Sequence, residues 1–113
     1  MKRHKVRALV NSVVLIGLIA FCSGSSPAQS AGETSFKTKC AACHGPDGKG
    51  ESAMAKKLGV RNLSSADVQG QSDAQIIDII AKGKNKMPAF DGKLTKEQIG
   101  QVVAYVRELG KKH

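Results

Sequence analysis

Aromatic side chains are scarce in this 113-residue chain, which has no tryptophan, one tyrosine and three phenylalanines. Stacking nucleic-acid bases needs several such faces, so the chain's positive charge does not point to nucleic acid. The late apolar segments do not alternate with period two, which removes support for strands. With no βαβ pattern, a thioredoxin-like dithiol loses its context as well. In "GPDGKGES" two glycines have the spacing of a phosphate-binding loop, but Glu51 stands where lysine is required. Large apolar residues are also few. A small domain buries proportionally little surface and often needs a staple, so something besides its own side chains is expected to fill the core.

The longest apolar run covers residues 8–22 and is broken by Asn11 and Ser12. Spanning a bilayer takes about 20 apolar residues, so the run is short for an anchor. It follows the basic "MKRHKVR" and precedes the small, polar "CSGSSPAQSAG". That order is the three-part pattern of a secretory signal peptide. Residues 1–30 are read as a cleaved leader and residues 31–113 as the working domain. Cys22 follows Phe21, where a lipoprotein signal needs a small residue, and is read as part of the leader. Cleavage removes four of the 18 basic residues and none of the nine acidic ones, leaving 83 of 113 residues with a formal charge of +5 in place of +9. The expected location is the periplasm or an equivalent extracytoplasmic space, with no stable membrane insertion after cleavage.

Three helices are predicted in the remaining chain. The first covers residues 32–42, with Gly32, Phe36 and Cys40 four apart on one face. "SDAQIIDIIAKG" opens with Ser72 and Gln75 at capping-box spacing, carries Ile76, Ile79 and Ile80 on one face, and stops at Gly83. "TKEQIGQVVAYVRELG" repeats that grammar with Thr95 and Gln98, an apolar stripe of Ile99, Val102, Val103, Val106 and Leu109, and Gly110 at its end. Between the first two helices lie some 30 residues of loop composition. A loop that long is unusual in so small a domain unless it wraps something.

The chemistry is concentrated in "CAACHG", residues 40–45. Structural zinc needs four ligands, and Cys40, Cys43 and His44 supply three; the other histidine beyond the leader is the terminal His113. A disulfide between Cys40 and Cys43 would close a tight loop with little stabilisation and leave His44 without a role. C-x-x-C-H is the attachment motif of c-type haem, and this reading employs all three side chains. The thiols form thioethers to the porphyrin and the histidine becomes a ligand of the iron. Such attachment happens outside the cytoplasm, in agreement with the leader. For the other axial position the candidates are Met54, Met87 and His113. Met87 is favoured because Pro88 stiffens the chain beside it and its loop lies between two helices. Met54 sits in an amphipathic-looking segment where methionine is more often core.

The succession of Gly32-x-x-x-Phe36-x-x-x-Cys40, then C-A-A-C-H-G, D-G-K-G, M-P-A-F and the "EQIGQVVAYVREL" helix resembles the class I c-type cytochromes, of the short soluble single-haem kind found in bacteria and photosynthetic organisms. The likeness covers nearly all of residues 31–113. It implies an all-α fold, with three main helices and long loops wrapped around one covalently attached haem. It also implies terminal helices that cross at Gly32, with Phe36 and Tyr105 packed around the crossing. The chain departs from mitochondrial-type relatives in lacking a proline well after the histidine, so a backbone carbonyl from Asp47 to Met54 is expected to accept the imidazole N–H. With no tryptophan present, Arg61, Asn62 and Lys84 are the candidate propionate partners. Leu58, Leu63, Ile76, Ile80, Phe90 and Val103 are the expected apolar walls.

With both axial positions filled by protein, the implied function is one-electron transfer between redox proteins, not catalysis. The chain is expected to act as a monomer. Lys82, Lys84 and Lys86, with Lys56 and Lys57, would steer it transiently to an acidic face on an oxidase or reductase. Two other readings remain open on sequence: a haem enzyme or gas or peroxide sensor in which methionine is displaced, and a subunit through which electrons enter a larger membrane redox complex.

Overall fold

The structure, a computed structural model, describes residues 24–112. Most of the expected leader, with Cys22, and the terminal His113 fall outside the described residues. Those described form an all-helical globule with two isolated bridges and no strand. The helices are α1 (Pro27–Lys39), α2 (Ala41–His44), α3 (Ala53–Leu58), α4 (Ala66–Gln69), α5 (Asp73–Lys82) and α6 (Lys96–Lys111). The three long ones, α1, α5 and α6, correspond to the predicted helices.

α1 begins earlier than the spacing predicts. Pro27 occupies the first turn, where its missing N–H costs nothing, and the Gln29 side chain accepts the Ser26 N–H at 3.1 Å. The helix therefore runs across the Ser30–Ala31 bond. Its buried residues, Gly32 and Phe36, both lie beyond that bond, so the packed part of α1 belongs entirely to residues 31–113. The caps of α5 and α6 form as predicted. Ser72 and Gln75 exchange hydrogen bonds of 2.8 and 3.2 Å, and Thr95 and Gln98 do so at 2.8 and 3.1 Å.

α1 and α6 form the most extensive helix pair. A Cβ on Gly32 would overlap the Gln101 carbonyl, so the two backbones approach as only glycine permits. Phe36 and Tyr105 rings meet beside this point, with centroids 5.2 Å apart and planes at 52°. Phe36, Val102, Val103, Val106 and Leu109 are all at most 3% exposed.

The long middle loop contains two short helices, α3 and α4, where loop composition predicts coil. Ser52 caps α3 through the Ala55 N–H at 3.0 Å, and Gly59 ends it in the left-handed conformation. Side chains then tie the segment to α6. The Gln69 amide donates to the Leu63 carbonyl at 2.7 Å and the Val106 carbonyl at 3.1 Å. Arg107 donates through Nη1 to the Gln69 carbonyl at 2.8 Å, through Nε to Asp73 at 2.9 Å, and through Nη2 to the Gln71 carbonyl. This bracing explains Gly110, predicted as a helix stop. α6 runs past it to Lys111, and a Cβ there would overlap the Gln69 side chain. Gly110 is a packing glycine, not a terminator.

Gly32→Val should force α1 and α6 apart and cost about 1–3 kcal/mol or more. That corresponds to a fall in Tm of at least about 4–8 °C for a domain of this size. Thermal unfolding followed by far-UV circular dichroism checks this; an unchanged Tm would mean the helices do not cross at Gly32.

Candidate functional site

α1 breaks at Cys40, and the chain re-enters a helical turn at once. The His44 N–H donates to the Cys40 carbonyl at 2.9 Å and the Cys43 N–H to the same oxygen at 3.2 Å. Gly45, with φ 80°, ends the turn. Cys40, Cys43 and His44 are thus carried on one short helical ledge, and all three line one cavity of about 260 Å³. Met87 reaches the same cavity from the segment after α5, together with Pro88. Every residue the sequence reading chose for covalent attachment and ligation is brought to one place. Met54 is not among them: it is 57% exposed on α3 and does not line the cavity, so its expected core role is corrected to a surface position.

The walls are aliphatic and aromatic. Leu58, Leu63, Ile76, Ile80 and Phe90 line the cavity as predicted. Val103 does not, although it is buried; Val102 and Val106, four apart on α6, present that face instead. A 3.6-residue period marks an apolar stripe but does not say which edge of it meets α1 and which meets a cavity. Arg61 and Lys84 line the cavity. Asn62 does not, and its side-chain oxygen accepts the Ser64 N–H at 2.8 Å. Lys39, Asn85, Lys86 and Gln71 also line it. Sequence reasoning passed over Lys39, whose place one residue before Cys40 was the available signal.

Burial governs the electrostatics. Desolvation, with a smaller contribution from Cys43, pushes the Cys40 thiol up to about 11, so it stays protonated at neutral pH. Burial also lowers the pKa of His44, which keeps the imidazole neutral and its lone pair available to a metal. Nδ1 of His44 is buried and has no hydrogen-bond partner. The carbonyl expected between Asp47 and Met54 is therefore not found; the Gly48 carbonyl, for instance, accepts the Leu63 N–H at 2.9 Å. A buried ring nitrogen without a partner is costly, and His44 lines the cavity where a bound group could reach its ring. Two thiols, a neutral imidazole and a thioether around an apolar cavity form a donor set suited to an iron porphyrin.

A family model described as cytochrome C oxidase, cbb3-type, subunit III matches residues 27–106. The chain belongs to this family of c-type cytochromes. It is similar to cytochrome c6 of Nostoc sp. (strain PCC 7120), with 42% identity over 108 residues, covering 88% of this chain and 90% of that one. It is 37% identical over 81 residues to the cbb3-type cytochrome c oxidase subunit FixP of Bradyrhizobium diazoefficiens, matching 70% of this chain but 27% of that subunit. The solved structure of the KustC0563 c-type cytochrome superposes with a TM-score of 0.64 at 34% identity, covering 69% of this chain and 95% of that one. The cytochrome is thus a c6-like electron carrier, not an enzyme, and its family implies covalently held haem c. No helix among the described residues is long and apolar enough to cross a membrane.

Phe90 closes the cavity while its N–H is bound to the Ile80 carbonyl at 3.0 Å. Phe90→Ala should destabilise the cytochrome by about 3–5 kcal/mol. A lower denaturation midpoint with an unchanged slope would show this, whereas an unmoved midpoint would deny Phe90 its core position.

Proposed function

We propose that this cytochrome is an exported one-electron carrier holding one haem c, with thioether bonds from Cys40 and Cys43 and axial ligation by His44 and Met87. The observation that carries this reading is that these four side chains, drawn from two separate stretches of chain, line one apolar cavity. The bound group supplies a ferric–ferrous couple that accepts or gives up one electron. Cys40 and Cys43 would hold the group through thioether links, each made by adding S–H across a vinyl double bond with no atom lost. His44, kept neutral by burial, would offer a ring nitrogen and Met87 its sulfur, both from the lining of the same cavity. Two protein ligands leave no open position for substrate, and thioether ligation together with apolar walls favours the reduced state. The leader read in residues 1–30 supports export to the periplasm or its equivalent.

Visible and near-infrared spectra of the exported cytochrome, oxidised and reduced, with an alkaline pyridine assay, test the reading. A c-type haemochrome together with the weak oxidised-state band of an iron–sulfur bond is expected. Met87→Ala should abolish that band, admit carbon monoxide to the reduced protein, and lower the potential by on the order of 0.1 V. A haemochrome without the band in the unmodified protein would exclude Met87 as ligand.

The partner is an acidic face on a redox protein, met transiently by the monomeric carrier. Lys39, Arg61, Lys84 and Lys86 are exposed and line the cavity, and no carboxylate does so among the described residues. Lys82 contributes less, since it is paired with Asp78 at 2.6 Å, and Lys56 and Lys57 lie on α3, away from the cavity lining. Electrostatic steering changes association rates by about tenfold or more. The Lys84→Glu/Lys86→Glu double variant should slow reduction or oxidation by the partner at low salt by about that factor, with the difference shrinking as salt rises; rates indifferent to both would remove the docking proposal. A second reading, a subunit through which electrons enter a membrane oxidase, draws on the family description and the FixP likeness. The match along 90% of a cytochrome c6, against 27% of FixP, favours the free carrier. Stable co-purification with an oxidase would reverse that preference.

A further inference from the structure

The segment bearing Met87 leaves α5 and returns to it within a few residues. The Gly83 N–H donates to the Ile79 carbonyl at 2.8 Å, the Phe90 N–H to Ile80 at 3.0 Å and the Asp91 N–H to Ala81 at 3.0 Å. Both ends of the segment are pinned to the last turns of one helix. Within it, Lys84 and Met87 exchange backbone hydrogen bonds of 3.2 and 3.0 Å, closing a tight turn with Asn85 and Lys86 at its corners.

Two residues take backbone conformations that most side chains resist. Asn85 has φ 55° and is the one non-glycine residue with positive φ among those described; asparagine tolerates this region better than other residues with a Cβ. Gly83 has φ 75° and ψ 167°, a region open in practice to glycine alone. A Cβ on Gly83 would also lie 2.6 Å from the Met87 carbonyl oxygen and 2.9 Å from the Ala89 nitrogen. The geometry that carries the sulfur therefore depends on the identity of two residues, one at the helix exit and one at the corner of the turn.

We propose that Gly83 and Asn85 are positioning residues for Met87, and that the turn they permit keeps its thioether from being displaced by an outside ligand. The inference rests on Met87 being an axial ligand. With the turn already closed, little chain remains to be ordered when the sulfur binds. A competing ligand binds only when the turn has opened, so its apparent affinity reports the open fraction.

Imidazole titration of the ferric holoprotein, followed by loss of the iron–sulfur band, makes the test. Asn85→Val and Gly83→Ala should each bind imidazole about tenfold more tightly than the unmodified protein, because the strain they add is relieved on opening. Asn85→Gly, which keeps the backbone conformation accessible, should stay within about twofold. Gly92→Val is the control for strain elsewhere: Gly92 has φ 79° with nothing within 4 Å of an added Cβ, outside the turn, and its variant should also stay within about twofold. Asn85→Val and Gly83→Ala at unmodified affinity would overturn the proposal, as would Gly92→Val loosening the sulfur as much as they do. If Asn85→Val fails to take up haem, Gly83→Ala and the milder Asn85→Ala carry the same comparison. An unmodified ferric protein without the band would fail the ligand reading itself, an outcome distinct from a normal band that is indifferent to Asn85 and Gly83.

Discussion

At Gly32 the backbone of α1 lies so near the Gln101 carbonyl of α6 that no side chain fits between them. That contact sets the crossing of the two helices, and the crossing determines what each can reach. Phe36 fills the angle on one side and packs at a tilt against Tyr105, while its ring also lies 6.5 Å from that of His44. One turn further along α1 the chain arrives at Cys40, already facing the cavity that Val102 and Val106 wall from α6. The residues of the C-x-x-C-H motif are therefore oriented by the α1–α6 helix pair.

The remaining chain is held to this pair in two different ways. The middle segment is braced by side chains: the Gln69 amide donates to the Leu63 carbonyl and to the Val106 carbonyl of α6, and the Arg107 guanidinium to the Gln69 and Gln71 carbonyls. An arginine fork suits this task because its donors are fixed in one plane. The segment after α5 is braced by its own backbone, through hydrogen bonds back to Ile79, Ile80 and Ala81. That segment carries Met87, whereas Cys40, Cys43 and His44 sit on the ledge that follows α1.

Low polarity within the cavity serves several ends. Burial keeps the His44 imidazole neutral and the Cys40 thiol protonated. The same surroundings disfavour added positive charge, which bears on the balance between oxidised and reduced iron. Charge is confined to the rim, where Lys39, Arg61, Lys84 and Lys86 remain exposed to water and to whatever docks there.

Much of this was legible along the chain because it depends on near neighbours. The capping pairs Ser72/Gln75 and Thr95/Gln98, the stop at Gly83 and the spacing of Cys40, Cys43 and His44 are local, and each appears in the structure where its spacing predicts. Other features required partners distant in sequence. Gly110 looked like a terminator because its reason, Gln69, lies 41 positions away. Val103 was indistinguishable from Val102 along the chain, because both are buried and only the packing of α6 decides which of them lines the cavity. Met54 and Met87 were both candidates along the chain, and only the fold set Met54 on the exposed side of α3 and Met87 in the cavity lining beyond the turn at Asn85. That no carbonyl of the following loop reaches His44 Nδ1 likewise depends on the path of the folded chain, which for instance commits the Gly48 carbonyl to the Leu63 N–H. Local spacing decides which atoms can act together on one turn of helix, and so the sequence by itself determined the attachment motif and the three long helices. Long-range packing decides which faces meet, and so the tertiary structure alone determined the cavity's walls, the bracing of the middle segment and the turn that presents the sulfur.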